Sequence, residues 1–306
     1  MSNHLNATFK SQDTEEWLDI YFTRPIGLLW AKFFRRFGIH PNVVTILSII
    51  LGALAGVCFY FNDYTYTIIG ILLLMWANFY DSADGQLARM TGQKTQWGRI
   101  LDGFAGDVWF FVIYAAICLR LQHMPLPFGI EGHWGIWIWI LAAFSGLKCH
   151  AEQCRLADYY RNIHLYFLKG KKGSELDDTY TMQQEFKTTS WYEKPAWKTF
   201  LFFYIRYTKA QEVSTPNFQK LRKALNTHYG HNIPESVRQL FRTKSLPLMK
   251  WTNILTFNTR AIVLYISLLA MQPWIYFIAE ITVFNILYHH MRTQHESFCK
   301  HIFKTL

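Results

Sequence analysis

The chain has 306 residues, 51% of them hydrophobic and 18% aromatic, and its 31 Lys and Arg against 21 Asp and Glu leave a formal charge of +10. Cations concentrated beside long apolar runs are the signature of the cytoplasmic face of a membrane protein and argue against a nucleic-acid binder. The five cysteines, Cys58, Cys118, Cys149, Cys154 and Cys299, are odd in number and lie in or beside apolar stretches, which argues against a disulfide framework.

The first residues, MSNHLNATFKSQDTEEW, carry acids and no apolar core, so they do not read as a cleavable signal, and the first apolar span is expected to act as its own insertion signal. Residues 15–38 mix Trp, Phe and Leu with Lys32, Arg35 and Arg36, and Pro25 is expected to divide them into two pieces. This pattern predicts an amphipathic juxtamembrane helix in the cytoplasmic interface.

Six apolar windows then read as spans, the longest of them matching the length a helix needs to cross about 30 Å of hydrocarbon at about 1.5 Å per residue. They run over about 42–62, 64–80, 100–119, 134–148, 254–272 and 273–288. In the first of them, Gly52 and Gly56 form a face of small residues suited to close helix packing. The connections FNDYTY and AMQPW carry no basic residue and LRLQHMPLPFGIEGHW carries only Arg120, whereas the other connections and the tail are basic. Lys and Arg accumulate on the cytoplasmic side, so the expected fold is an all-α polytopic protein with six transmembrane helices and both termini inside.

The expected domains are a cytoplasmic N-terminus with its amphipathic helix (1–41), four spans (42–164), a cytoplasmic insertion (165–250), and two spans with a tail (251–306). The insertion reads as irregular structure mixed with short amphipathic helices. It is long for a connector. A surface-lying cover suits it better than an acceptor-selecting or dimerising module. No internal repeat or low-complexity tract is present.

The chemistry-bearing stretch follows the second span, where Asp81, Asp84, Gly85 and Ala88 fall on one helical stripe. Two carboxylates with no aliphatic bulk beside them suit a hard divalent cation, and the small residues let a phosphorylated ligand approach the backbone. Asp102, opening the third span, supplies another oxygen from a neighbouring helix. One such acid alone reads as a helix end at the headgroup level; three at these spacings read as a site.

This run resembles the signature of the CDP-alcohol phosphotransferase family, D-x2-D-G-x2-A-R-x8-G-x3-D-x3-D, at Asp81, Asp84, Gly85, Ala88, Arg89, Gly98 and Asp102. Pro41, Asn42 and Thr45 are similar to a P-N-x-x-T run of the same family. The resemblance covers about residues 38–155 and the last two spans. It implies two divalent cations, Mg²⁺ or Mn²⁺, held by Asp81, Asp84 and Asp102 against the donor pyrophosphate. It also implies donor contacts from Gly85, Ala88, Arg89 and Gly98, with Asn42 and Thr45 lining the pocket, and a homodimer. The family's fourth aspartate, the proposed general base and a further metal ligand, is expected at position 106, where this chain has Gly106 followed by Asp107. In a regular helix Asp107 is turned by about 100° from that direction. Gly103 and Gly106 predict a one-residue bulge that returns Asp107 to the site; otherwise Asp102 or another group is the base.

Three cations near the cytoplasmic ends of later spans, Lys148, Arg155 and Arg260, are candidate acceptor ligands. Arg suits phosphate by paired donors, with snorkelling to the interface as the competing reading for Arg260. Cys149, His150, Glu152 and Cys154 lack the paired spacing of a zinc site and read as helix packing. Glu280, inside the sixth span, is expected to pair or to line a polar pocket.

The function implied is a transferase of phospholipid synthesis in a bacterial inner membrane. It moves a phosphatidyl group from CDP-diacylglycerol, or a related CDP-lipid, to inositol phosphate, inositol or glycerol phosphate and releases CMP. The alternatives are transfer of a CDP-linked headgroup to a lipid alcohol, and a non-catalytic lipid-binding or transport protein.

Overall fold

The computed structural model describes residues 11–93, 95–170, 173–230 and 232–306. The first ten residues of the expected N-terminal segment, and Lys171 and Lys172 of the insertion, lie outside the described residues. Those described are overwhelmingly helical and form no strand, with one isolated bridge between Pro125 and His133. The helices group into two compact units.

The first unit takes in Glu15–Cys149 and Arg260–Ile281. It opens with a π-helix, Asp19–Thr23, that runs directly into α1 (Arg24–Arg36). The expected division at Pro25 therefore does not occur. Pro25 sits in the first turn of α1, where its missing N–H costs nothing. Helices α2 (Pro41–Tyr60), α3 (Tyr64–Thr91) and α4 (Gln96–Leu121) form the centre of the unit, with α2 packed on both α3 and α4 and α1 on α3. The predicted small-residue face is used: a Cβ on Gly52 would lie 2.1 Å from the Trp109 ring, and one on Gly56 2.8 Å from Val112. Only residues without that carbon let α2 approach α4 so closely, and the Trp109 indole N–H then donates to the Ser48 carbonyl at 3.0 Å. Arg120, the one Lys or Arg in its connection, is buried and donates to Asn62 Oδ1 (2.6 Å) and the Phe59 carbonyl (3.4 Å).

The unit continues with α5 (Gly135–Ala143), a π-helix over Phe144–His150, α11 (Phe257–Leu269, from Arg260 onward) and α12 (Trp274–Ala279), which meets a π-helix at Glu280–Phe284. All six predicted windows are largely helical, the fifth interrupted at Leu255 and Thr256. Three helical stretches are long and apolar enough to cross a membrane by length and composition: Pro41–Tyr60, Ile100–Leu121 and Glu235–Leu269. Helix α3 has the length, but Tyr64, Tyr66, Trp76, Asn78 and Asp81 dilute its apolar character. The fourth and sixth windows are broken by the π-turns.

The second unit holds residues 11–14, His150–Thr259 and Thr282–Leu306. Its helices are α6 (Ala151–Lys169), α7 (Thr179–Thr188), α8 (Pro195–Ser214), α9 (Pro216–Tyr229), α10 (Glu235–Ile254) and α13 (Asn285–Thr305). Among its described residues the insertion, expected to mix irregular structure with short amphipathic helices, carries four helices of 10, 20, 14 and 20 residues. A core of Phe167, Phe218, Leu221, Leu225 and Phe241 explains why: mixed polar and aromatic helices gain an apolar partner from one another that no single segment advertises. Asp13 is held there by Arg242 (Nε to Oδ2 2.7 Å, Nη2 to Oδ1 3.0 Å) and by His164 Nε2 at 3.2 Å, while His164 Nδ1 meets Ser245 Oγ at 2.7 Å.

A three-carboxylate candidate metal centre

The site is built from three helix ends. Thr95 caps α4, its hydroxyl accepting from the Gly98 N–H at 2.9 Å, and it donates to Asn42 Oδ1 at 3.4 Å on the first turn of α2. A Cβ on Gly98 would lie 2.9 Å from that Asn42 oxygen, so the glycine is what lets the two helix starts come together. One turn further along α2, Thr45 is buried and donates to Asp84 Oδ2 at 2.5 Å. On the other side of α3, the buried Gln86 donates to the Arg24 carbonyl at 3.1 Å, and Ala83 and Leu87 pack with Ala31, Phe34 and Val44. With that face committed to α1 and α2, the stripe bearing Asp81 and Asp84 is fixed in rotation.

Asp81, Asp84 and Asp102 each place one carboxylate oxygen so that the three lie within 4.8 Å of one another; Asp84 is buried, Asp81 half-buried and Asp102 exposed. Three ionised carboxylates at that spacing repel unless a cation lies between them. Their donor set, hard and all-oxygen, is that of Mg²⁺ or Mn²⁺. Gly85 stands in the middle of a helix, a position about 1 kcal/mol worse than Ala. A Cβ there would meet only the Arg89 guanidinium at 3.5 Å, an ordinary contact, so packing does not demand the glycine. The open backbone beside the carboxylates suits the close approach of a phosphorylated ligand. Ala88 is half-buried and Arg89 exposed on the same end of α3.

Two expectations are corrected. The bulge at Gly103–Gly106 is absent: Gln96–Leu121 is one α-helix, and no atom would crowd a Cβ at either glycine. Asp107 is exposed, five positions after Asp102 and so about 140° around a regular helix from it, and it is not part of the cluster. Helix geometry won because neither glycine adopts a positive φ and nothing else interrupts the ladder. Arg260, predicted as an acceptor ligand or a snorkelling cation, is instead fully buried and ion-paired with Glu280 at 2.7 Å. Glu280 also accepts from Tyr276 (2.5 Å), Ser145 (2.6 Å) and the Tyr114 hydroxyl, which fills its lone pairs. This buried carboxylate was legible from the sequence, but its hydroxyl donors were not.

Lys148 is exposed on the π-helix, and Arg155, in the second unit, is half-buried, its carbonyl accepting from Gln211 at 3.2 Å. Among the described residues the three aspartates are the one group of three or more potential ligands this close, so Cys149, His150, Glu152 and Cys154 do not assemble into a second.

The described residues are helical, include stretches long and apolar enough to cross a membrane, and bring three carboxylates together where α3 ends and α4 begins. Residues 38–154 match the CDP-alcohol phosphatidyltransferase family, whose members are transferases of phosphate-containing groups. The chain is 38% identical over 72 residues to an archaetidylinositol phosphate synthase of Pyrococcus horikoshii, covering 24% of this chain and 37% of that one. It is 34% identical over 72 residues to an uncharacterized protein of Aquifex aeolicus, covering 24% and 35%. The chain thus spans about a third of the length of these curated relatives. No solved structure matches it.

Proposed function

We propose that the chain is a metal-dependent membrane enzyme that transfers a phosphatidyl group from a CDP-linked lipid to a polar alcohol and releases CMP. The observation that carries this reading is the Asp81–Asp84–Asp102 cluster inside the CDP-alcohol phosphatidyltransferase domain. In the transfer, the acceptor hydroxyl oxygen forms a bond to the phosphorus bearing the lipid alcohol. The pyrophosphate P–O bond breaks, CMP leaves with that electron pair, and the hydroxyl proton passes to a base.

Asp81, Asp84 and Asp102 would hold Mg²⁺ or Mn²⁺, which would offset the negative charge of the donor pyrophosphate and of the departing CMP. Thr45 orients the Asp84 carboxylate through its hydrogen bond. Gly85, Ala88 and Arg89 receive the cytidine diphosphate, and Asn42 and Gly98 close the pocket where α2 and α4 begin. With Asp107 outside the cluster, the proton goes to Asp102, whose carboxylate is exposed and within the group.

The acceptor reading rests on the relative named archaetidylinositol phosphate synthase, which supports inositol phosphate over an uncharged alcohol. Lys148 and Arg155 remain candidates for its phosphate; Arg260 is committed to Glu280. Six spans with termini and cluster on the cytoplasmic side, supported by the basic connections, and a homodimer, as the family resemblance implies, complete the proposal. A cysteine introduced in the 63–66 connection is then labelled from outside intact cells, whereas one near Gln93 is not. The displaced Asp107 favours a second reading, a non-catalytic lipid-binding protein on the same bundle. Purified chain given CDP-diacylglycerol, Mn²⁺ and a panel of inositol phosphate, inositol and glycerol phosphate separates the two: CMP, followed by mass spectrometry, accumulates with one acceptor under the first reading and with none under the second.

A further inference from the structure

We propose that the outer face of α8 and the turn before it dock the second unit onto the anionic headgroup layer of a lipid bilayer. One side of α8 is used internally: Leu201, Thr208 and Gln211 are buried, and Lys198 donates to the Thr189 carbonyl at 2.7 Å while lying 4.7 Å over the Phe186 ring. The opposite side recurs at Thr199, Phe202, Phe203, Arg206, Lys209 and Val213, all exposed and all on one stripe at helical spacing. Phe203 is 62% and Val213 70% exposed. The preceding turn, closed by the Lys194 N–H donating to the Ser190 carbonyl at 3.2 Å, adds Trp191 at 52% and Tyr192 at 99% exposure.

Large apolar side chains left this open on a long helix need an occupant. The composition points to lipid. Trp and Tyr favour the headgroup level, where the ring body meets acyl chains and the polar edge meets water. Lys194, Arg206 and Lys209 stand among the aromatics against one exposed acid, Glu193, and the Arg206 guanidinium lies 4.0 Å over the Phe202 ring, its charge held at the edge of the apolar stripe. Cations interleaved with aromatic anchors match an anionic lipid surface. A second copy of the chain fits less well: a two-fold interface on this stripe sets Arg206 and Lys209 against their own equivalents with no acid on the stripe to receive them. The bilayer crossed by the chain's own apolar helices supplies the surface at high local concentration.

The test is hydroxyl-radical footprinting of the unaltered chain, one chain per lipid nanodisc, in phosphatidylcholine with and without phosphatidylglycerol. In water the nearly naked Tyr192 must oxidise faster than Tyr180, which is 71% exposed on α7. Docking predicts the reverse order in anionic discs, with Tyr192, Trp191 and Phe203 oxidised several-fold more slowly than Tyr180. It also predicts that the protection weakens when phosphatidylglycerol is omitted or when Arg206→Glu and Lys209→Glu are introduced together. Tyr192 oxidising as fast as Tyr180 or faster in anionic discs overturns the proposal. Protection that appears only in discs holding two chains also overturns it, in favour of a second copy.

Discussion

The Thr45 hydroxyl donates to Asp84 Oδ2 across 2.5 Å, linking the first turns of α2 to the carboxylate stripe of α3. Partners that orient a metal ligand typically contribute a factor of about 10–100 in metal affinity or activity. Thr45→Val, close in volume, is therefore expected to raise the Mn²⁺ concentration needed for half-maximal CMP release by about tenfold. Excess Mn²⁺ should restore much of the turnover. A metal titration of activity checks this, and a variant with an unchanged midpoint removes Thr45 from the site.

Asp102 and Asp107 lie five residues apart on one regular helix, and only Asp102 shares the cluster. Losing general acid–base help usually lowers turnover by about 10²–10⁴. Asp102→Asn is expected to fall in that range or below detection, and Asp107→Asn to keep turnover within about tenfold of the native value, since Asp107 does not belong to the cluster. Steady-state kcat for the two variants decides. The opposite order would mean that α4 distorts around Gly103 and Gly106 when substrate binds.

The Arg260–Glu280 pair is fully buried, with the Tyr114, Tyr276 and Ser145 hydroxyls completing the carboxylate's partners. Breaking a buried pair by removing one member typically costs about 3–5 kcal/mol, because the remaining charge keeps its desolvation cost. Glu280→Leu is expected to be the worse variant, as it strands three hydroxyls as well as taking the carboxylate from Arg260. Arg260→Met should be milder, since a protonated Glu280 still serves those hydroxyls. Thermal unfolding in detergent ranks them, and an unshifted midpoint for Glu280→Leu contradicts the network.

Around Asp13, burial pushes the His164 imidazole below its ordinary value of 6.5 despite the pull of Asp13, and the Arg242 hydrogen bonds hold the Asp13 carboxyl below its own. Both groups bind protons more readily when unfolded, so both contribute stability that is lost as pH falls. The imidazole acts first, once pH drops through 6.5, and the carboxyl only near 3.8. Protection of α6 and α10 against amide exchange should therefore weaken on going from about pH 7.5 to about pH 5.5 in the native chain. His164→Gln should flatten that dependence. A native profile that is flat across the window contradicts the assignment.

The parts of this protein legible in the sequence are those set by residues close together in it. Asp81 and Asp84 share a helical stripe by spacing alone, and Gly52 and Gly56 announce a close helix approach that Trp109 and Val112 fill. The π-helices over Phe144–His150 and Glu280–Phe284 were not legible, because a widened turn is held by neighbours: Ser145 and Glu280, one in each, bind to one another at 2.6 Å. The length of the helices in the insertion was not legible, because their apolar residues are aromatic, scattered among charges, and paired with partners far along the chain. Asp107 misled in the other direction. A signature spaced for one register suggested a backbone distortion that the helix has no local reason to make.

The cluster of Asp81, Asp84 and Asp102 is most directly tested by CMP release from purified chain, with CDP-diacylglycerol and the accepted alcohol, in native protein and in Asp84→Asn. The substitution removes one carboxylate charge at nearly constant volume and leaves the Thr45 hydroxyl an acceptor. The account predicts CMP release that EDTA stops and Mg²⁺ or Mn²⁺ restores in the native protein, and none above background in a folded Asp84→Asn variant. Release that survives EDTA, or an Asp84→Asn variant that retains more than a small fraction of native turnover, would contradict it.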